Sequence, residues 1–157
     1  MSKALEKALY KAAALTFDEL GFMLPSPELE EGQKSAAASI AVSVSFQGPV
    51  NGMVHITLCG ELLPILAANM LGAEGVPSKP QQHDALLEVA NVICGNLLPL
   101  MAGTTPVFNV GLPQVQKDPT ASSKETMVAF SQIGIEEGRA ELRLFLDNPK
   151  ALEELQG

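Results

Sequence analysis

In the stretch HDALLEVANVICGN, residues 83–96, Asp84, Glu88 and Asn91 interrupt a run that is otherwise almost wholly apolar. Their i, i+4, i+7 spacing stacks the three on one face of a helix, about a turn apart. Gly95 continues the stripe with no side chain. A carboxamide can orient a water in line with a phosphoryl group, because its oxygen accepts and its NH2 donates at fixed positions. A carboxylate one turn away can pair with a lysine lining the same phosphate site. A ridge of this kind completes an active site that belongs mostly to another molecule. The plain alternative is a solvated helix face, with Asp84 at the helix start favoured by the positive end of the dipole. Asn91 weighs against it, since Asn is a mediocre helix former and has no capping role in mid-helix.

Other chemistries find little support. His55 and His83 are the only histidines, and neither has a partner at metal-ligand spacing, so no metal site is expected. His83 reads as a solvated residue at a helix start, and His55 as a sheet-face residue beside Met53 and Thr57. No GxSxG elbow occurs, and neither Cys59 nor Cys94 has a nearby His or a basic setting that would favour a thiolate. The segment GAEGVP lacks the lysine and the strand–helix context of a phosphate loop.

The elements that must position the ridge come from a chain of 157 residues, read as a single domain over 1–157. Eighteen acidic against ten basic residues give a net charge of −8, the wrong sign for a nucleic-acid backbone. The N-terminus has dispersed charges and no compact apolar core, so it does not read as a signal peptide. Residues 85–102 contain Glu88, Asn91, Asn96 and Pro99, which makes them a poor membrane span, and no membrane insertion is expected. Both cysteines sit in apolar runs and read as buried free thiols, so a cytoplasmic, soluble protein is expected.

A helix is predicted over 2–20 from the spacing of Leu5, Leu9, Ala12, Ala13, Phe17 and Leu20, followed by a Pro-rich acidic loop at 25–35. The pattern then switches to period 2, and a hairpin is predicted over 39–58, with strands 39–46 and 53–58. A helix at 61–71, a loop through GAEGVPSKP and the motif helix at 82–100 follow, with Pro99 expected to kink or end the last. The segment after it reads as irregular, with at most one short strand around 107–116. A second hairpin at 126–147 and a short acidic helix close the chain. The fold class is α+β: a largely antiparallel sheet from two hairpins with long helices packed on one face. CGELLPILA at 59–67 and CGNLLPLMA at 94–102 echo each other, through duplication or through chance among common apolar residues. Strands 39–46 and 126–135 carry no charge and read as exposed edges that invite pairing with a second chain. The alternative is that the 103–124 segment folds over the free edge and keeps the protein monomeric.

Asp84, three residues, Glu88, two residues, Asn91 resembles the D/S-x3-E-x2-N motif of the CheC/CheX/FliY chemotaxis phosphatases. The longer string EVANVICGN resembles the E-x-x-N-x-x-x-G-N helix of the CheX branch, and Pro113 in VGLPQV matches a downstream Pro of the pattern. The resemblance implies a CheC-like fold and an aspartyl-phosphate phosphatase acting on a phosphorylated CheY-like response regulator. It implies that Asn91 positions the hydrolytic water and Glu88 pairs with the regulator's active-site lysine. Asp84 and Gly95 would complete the partner-binding surface, Asp84 through surface charge and Gly95 through close approach. No cofactor would be bound by this chain, the magnesium being held by the regulator. One armed helix beside an unarmed echo is the CheX arrangement, and CheX proteins are homodimers. A non-catalytic module that binds a receiver domain or signalling complex is the other reading. It needs the face of the helix, whereas catalysis needs the amide.

Overall fold

Ser2 caps the first helix, α1 (Lys3–Gly21), its hydroxyl oxygen accepting the Leu5 N–H at 3.2 Å. The structure is a computed structural model that describes residues 2–116 and 125–156. Leu5, Leu9, Ala12, Ala13 and Phe17 are buried on one side of α1, at the spacing the sequence predicts. The acidic stretch expected to be all loop holds a short helix, α2 (Glu31–Ser35). Gln33 makes it: its side-chain oxygen accepts the Glu30 N–H at 2.9 Å, and its amide donates to the Glu136 carbonyl at 2.9 Å. That long-range anchor is invisible to local composition.

The strands β1 (Ala38–Gln47) and β2 (Gly52–Cys59) form the first hairpin, and α3 (Leu62–Leu71) and α4 (Lys79–Ala102) follow. Two short strands, β3 (Asn109–Val110) and β4 (Gln114–Gln116), precede the second hairpin, β5 (Thr126–Ile135) and β6 (Gly138–Leu146). The helix α5 (Pro149–Gln156) ends the described chain. All pairings are antiparallel, in the order β3-β1-β2-β6-β5, with β4 also on β1. The fold is therefore α+β, as the hairpins require.

Alternation decides which face is covered. Val42, Val44 and Phe46 of β1, Val54, Ile56 and Leu58 of β2, and Leu142 and Leu144 of β6 are buried in one core with the apolar sides of α1, α3 and α4. Each such side chain contributes about 1.5–3 kcal/mol of burial, which holds the helices on this face. α4 is long and apolar enough by composition to cross a membrane, but its apolar side is the core itself.

Three expectations need correction. Two short strands, not one, lie in the 107–116 region, and both pair with β1: Phe46 faces Val110 and Ser43 faces Gln114. The outer edge of β1 is thus taken up by the chain's own downstream segment instead of standing exposed, because an uncharged edge recruits the nearest extended segment. The part of the long connection at 117–124 lies outside the described residues. The edge of β5 is also shortened, since the Ser2 N–H donates to the Val128 carbonyl at 3.1 Å and the Ser26 N–H to the Gly134 carbonyl at 2.8 Å. Between those points β5 pairs only with β6 among the described residues. As for the echo, its first copy spans the end of β2 and the start of α3, while its second lies inside α4.

Candidate functional site

α4 begins earlier than its apolar pattern suggests. The Ser78 hydroxyl accepts the Gln81 N–H at 3.3 Å while the Gln81 side chain accepts the Ser78 N–H at 2.9 Å, and Pro80 sits in the first turn where its missing N–H costs little. The helix therefore starts at Lys79, not at 82, and the SKP segment expected as loop belongs to it. Asp84 then falls in the second turn, past the reach of the terminal dipole, so the helix-start reading of this residue is withdrawn. At the other end Pro99 does not terminate α4, which continues to Ala102 and is closed by the Gly103 N–H donating to the Pro99 carbonyl at 2.9 Å. The carbonyl of Gly95, deprived of its donor, lies on the exposed side with Pro99, where water can serve it.

Leu86, Val89, Ala90, Ile93, Cys94 and Leu97 are fully buried, which fixes the rotation of α4 on the sheet. Asp84, Glu88, Asn91 and Gly95 consequently share its exposed side. None of the three side chains has a hydrogen bond or ion pair among the described residues. A Cβ built on Gly95 would meet nothing within 4 Å. A glycine inside a helix costs about 0.5–1 kcal/mol relative to alanine, and no crowding within this fold asks for it. Asn96 turns away from the ridge: its amide donates to Thr16 Oγ1 at 3.0 Å, and that hydroxyl donates to the Ala12 carbonyl at 2.7 Å. This buried clamp ties α4 to α1.

Sequence reasoning missed the neighbours of the ridge. Met70 and Leu71, at the end of α3, join Gln81, Asp84, Ala85 and Glu88 around a hollow of about 140 Å3. The signal was there in Leu71, a leucine directly before the helix-ending Gly72. Pro113 lies between β3 and β4, half-buried.

Elsewhere the chemistry is quiet. Cys59 and Cys94 are buried and free, and burial pushes both thiols up, that of Cys94 to about 12. His83 is exposed. His55 is buried on the sheet face away from α1 and α4, between Ser43 and Arg143 in the strand register. Both its ring nitrogens and the nearby Thr57 hydroxyl lack a hydrogen-bond partner among the described residues, and burial, reinforced by Arg143, lowers the imidazole pKa. Among the described residues no group of three or more His, Cys, Asp or Glu could hold a metal ion.

A family model described as chemotaxis phosphatase CheX matches residues 40–136, which spans β1 to the end of β5 and includes the whole ridge. No curated protein matches the sequence. Among solved structures, the chemotaxis protein CheX from Desulfovibrio desulfuricans superimposes with a TM-score of 0.70 at 18% identity, covering 90% of this chain and 98% of that one. A CheC-like superfamily protein from Shewanella sp. PV-4 gives 0.71 at 17%, covering 94% of this chain and 100% of its own. The CheX of a CheX–CheY–BeF3–Mg complex from Borrelia burgdorferi gives 0.65 at 15%, with 90% and 97% covered. The fold is the CheC-like one.

Proposed function

This chain belongs to the family of the chemotaxis phosphatase CheX, and from that premise we propose that it removes the phosphoryl group from the phospho-aspartate of a CheY-like response regulator. The observation that carries the proposal is the exposed Glu88 and Asn91 pair on α4, unpartnered among the described residues, with open space over Gly95. α4 inserts this ridge at the regulator's active site. Glu88 pairs with the lysine there, and the Asn91 amide holds a water in line with the phosphorus. The water oxygen bonds to phosphorus as the bond to the aspartyl oxygen breaks. The carboxylate leaves with that electron pair, and the water's protons stay with the inorganic phosphate and solvent. Asp84 and Gly95 contribute charge and close approach at the contact, without taking part in bond making.

Magnesium belongs to the regulator in this proposal, and this chain binds no cofactor of its own. The protein works in the cytoplasm, where its substrate is found, and assembles as a homodimer through the remaining edge of β5. A hollow of about 430 Å3 at the start of β5, lined by Leu5, Met127, Val128 and Leu152, supplies apolar surface for such a contact.

The test is the decay of a phosphorylated receiver domain with and without this protein. Faster release of phosphate at catalytic amounts supports the phosphatase. Binding with no change in decay would leave a non-catalytic receiver-binding module in its place.

A further inference from the structure

Phe22 closes α1 with a left-handed backbone, φ 54° and ψ 37°, a region that bulky side chains rarely adopt. The turn is held by the Phe22 N–H donating to the Asp18 carbonyl and the Met23 N–H to the Phe17 carbonyl, each at 3.1 Å. α3 ends with the same geometry in the ordinary way, with a glycine, Gly72, at φ 64°. Those hydrogen bonds reward the turn but not its side chain, because Phe22 is 77% exposed whereas Met23 beside it is buried. A phenylalanine kept where glycine would serve the fold as well points outward.

Its position says toward what. The carbonyl of Gly21 accepts the Asn69 amide at 2.8 Å, so the end of α1 is fastened to the last turn of α3. The next residues along that turn, Met70 and Leu71, share their hollow with Asp84 and Glu88. Leu71 is itself 52% exposed. Leu71 thus lines the carboxylate end of the ridge, and Phe22, held out by a strained backbone, stands on the helix end fastened to the same turn of α3.

We propose that Phe22 is an affinity-determining contact for the receiver domain, an apolar anchor that docks beside the active site while Glu88 and Asn91 enter it. The inference rests on the phosphatase reading and adds the surface that selects the partner. Aromatic side chains at the centre or flank of an interface commonly carry a disproportionate share of its binding energy. Phe22 touches no reacting atom, so its contribution enters through association alone.

The experiment measures steady-state release of phosphate from the phosphorylated receiver by wild type, Phe22→Gly and Phe22→Asn, with thermal unfolding of each. Glycine and asparagine both accept the left-handed backbone. Their midpoints are expected to rise by about 2–4 °C as strain is relieved, while KM rises about tenfold or more and kcat stays unchanged. Better folding with poorer association is a pairing that a structural role cannot produce. A wild-type KM in both variants overturns the proposal, as does a change confined to oligomer mass, which would assign Phe22 to contact with a second copy. A wild type that leaves phosphate decay untouched removes the phosphatase reading and this inference with it.

Discussion

Gly95 carries a prediction that separates folding from function. A methyl group there meets open space, so Gly95→Ala should stabilise the fold by about 0.5–1 kcal/mol in urea unfolding. If a partner's backbone approaches at that point, the same substitution slows dephosphorylation, and a larger side chain such as leucine slows it further. Full activity in Gly95→Leu would show that nothing comes close. The ridge itself was legible because helical spacing depends on sequence alone, and Asp84, Glu88 and Asn91 needed only the 3.6 period. The Asn96–Thr16 clamp was not, since its partners lie 80 residues apart and meet only through the packing of α1 on α4. Phe22 was equally hidden, because nothing local announces a left-handed phenylalanine one residue after a glycine.

At the scale of elements, periodicity located the long helices and both hairpins, while the short pieces escaped it. α2 depends on the contact of Gln33 with the distant β5–β6 turn, and β3 and β4 exist only because β1 offers an edge. The start of α4 was written in the S-x-x-Q spacing of Ser78 and Gln81 but masked by the prolines around it. β2 supplies a prediction of its own. His55 is buried with its pKa below the ordinary 6.5, so the native state holds it neutral while the unfolded chain takes up a proton as the pH falls. The stability that follows is complete above the unfolded value and is lost as pH drops toward the folded one. Arg143, opposite it on β6, adds to the lowering, because its charge disfavours a second cation beside it. The unfolding midpoint should therefore fall between about pH 7.5 and about pH 5.5, and His55→Gln should flatten that fall. An unaltered pH dependence in the variant would place the titration elsewhere.

For the whole molecule, the sheet limits how two chains can join. β1 is paired on both sides and β5 is tied at Val128 and Gly134, which leaves the middle of β5, with the hollow at its start, for a two-fold contact. Sedimentation equilibrium at micromolar concentration should give twice the 16.5 kDa of one chain, and a mass near 16.5 kDa would rule the dimer out. Each protomer would then expose its own ridge, so that two regulators are served independently. The central claim, however, is that a single amide on α4 performs the chemistry that the partner's site lacks. Its most direct measurement is the single-turnover rate of phosphate release from the phosphorylated receiver, saturated with wild type or with Asn91→Ala, alongside the dissociation constant of each complex. The account predicts a fall of about 10²-fold or more in the rate with an affinity little changed, as for a lost water-positioning group. An Asn91→Ala protein that binds and turns over at the wild-type rate would contradict it.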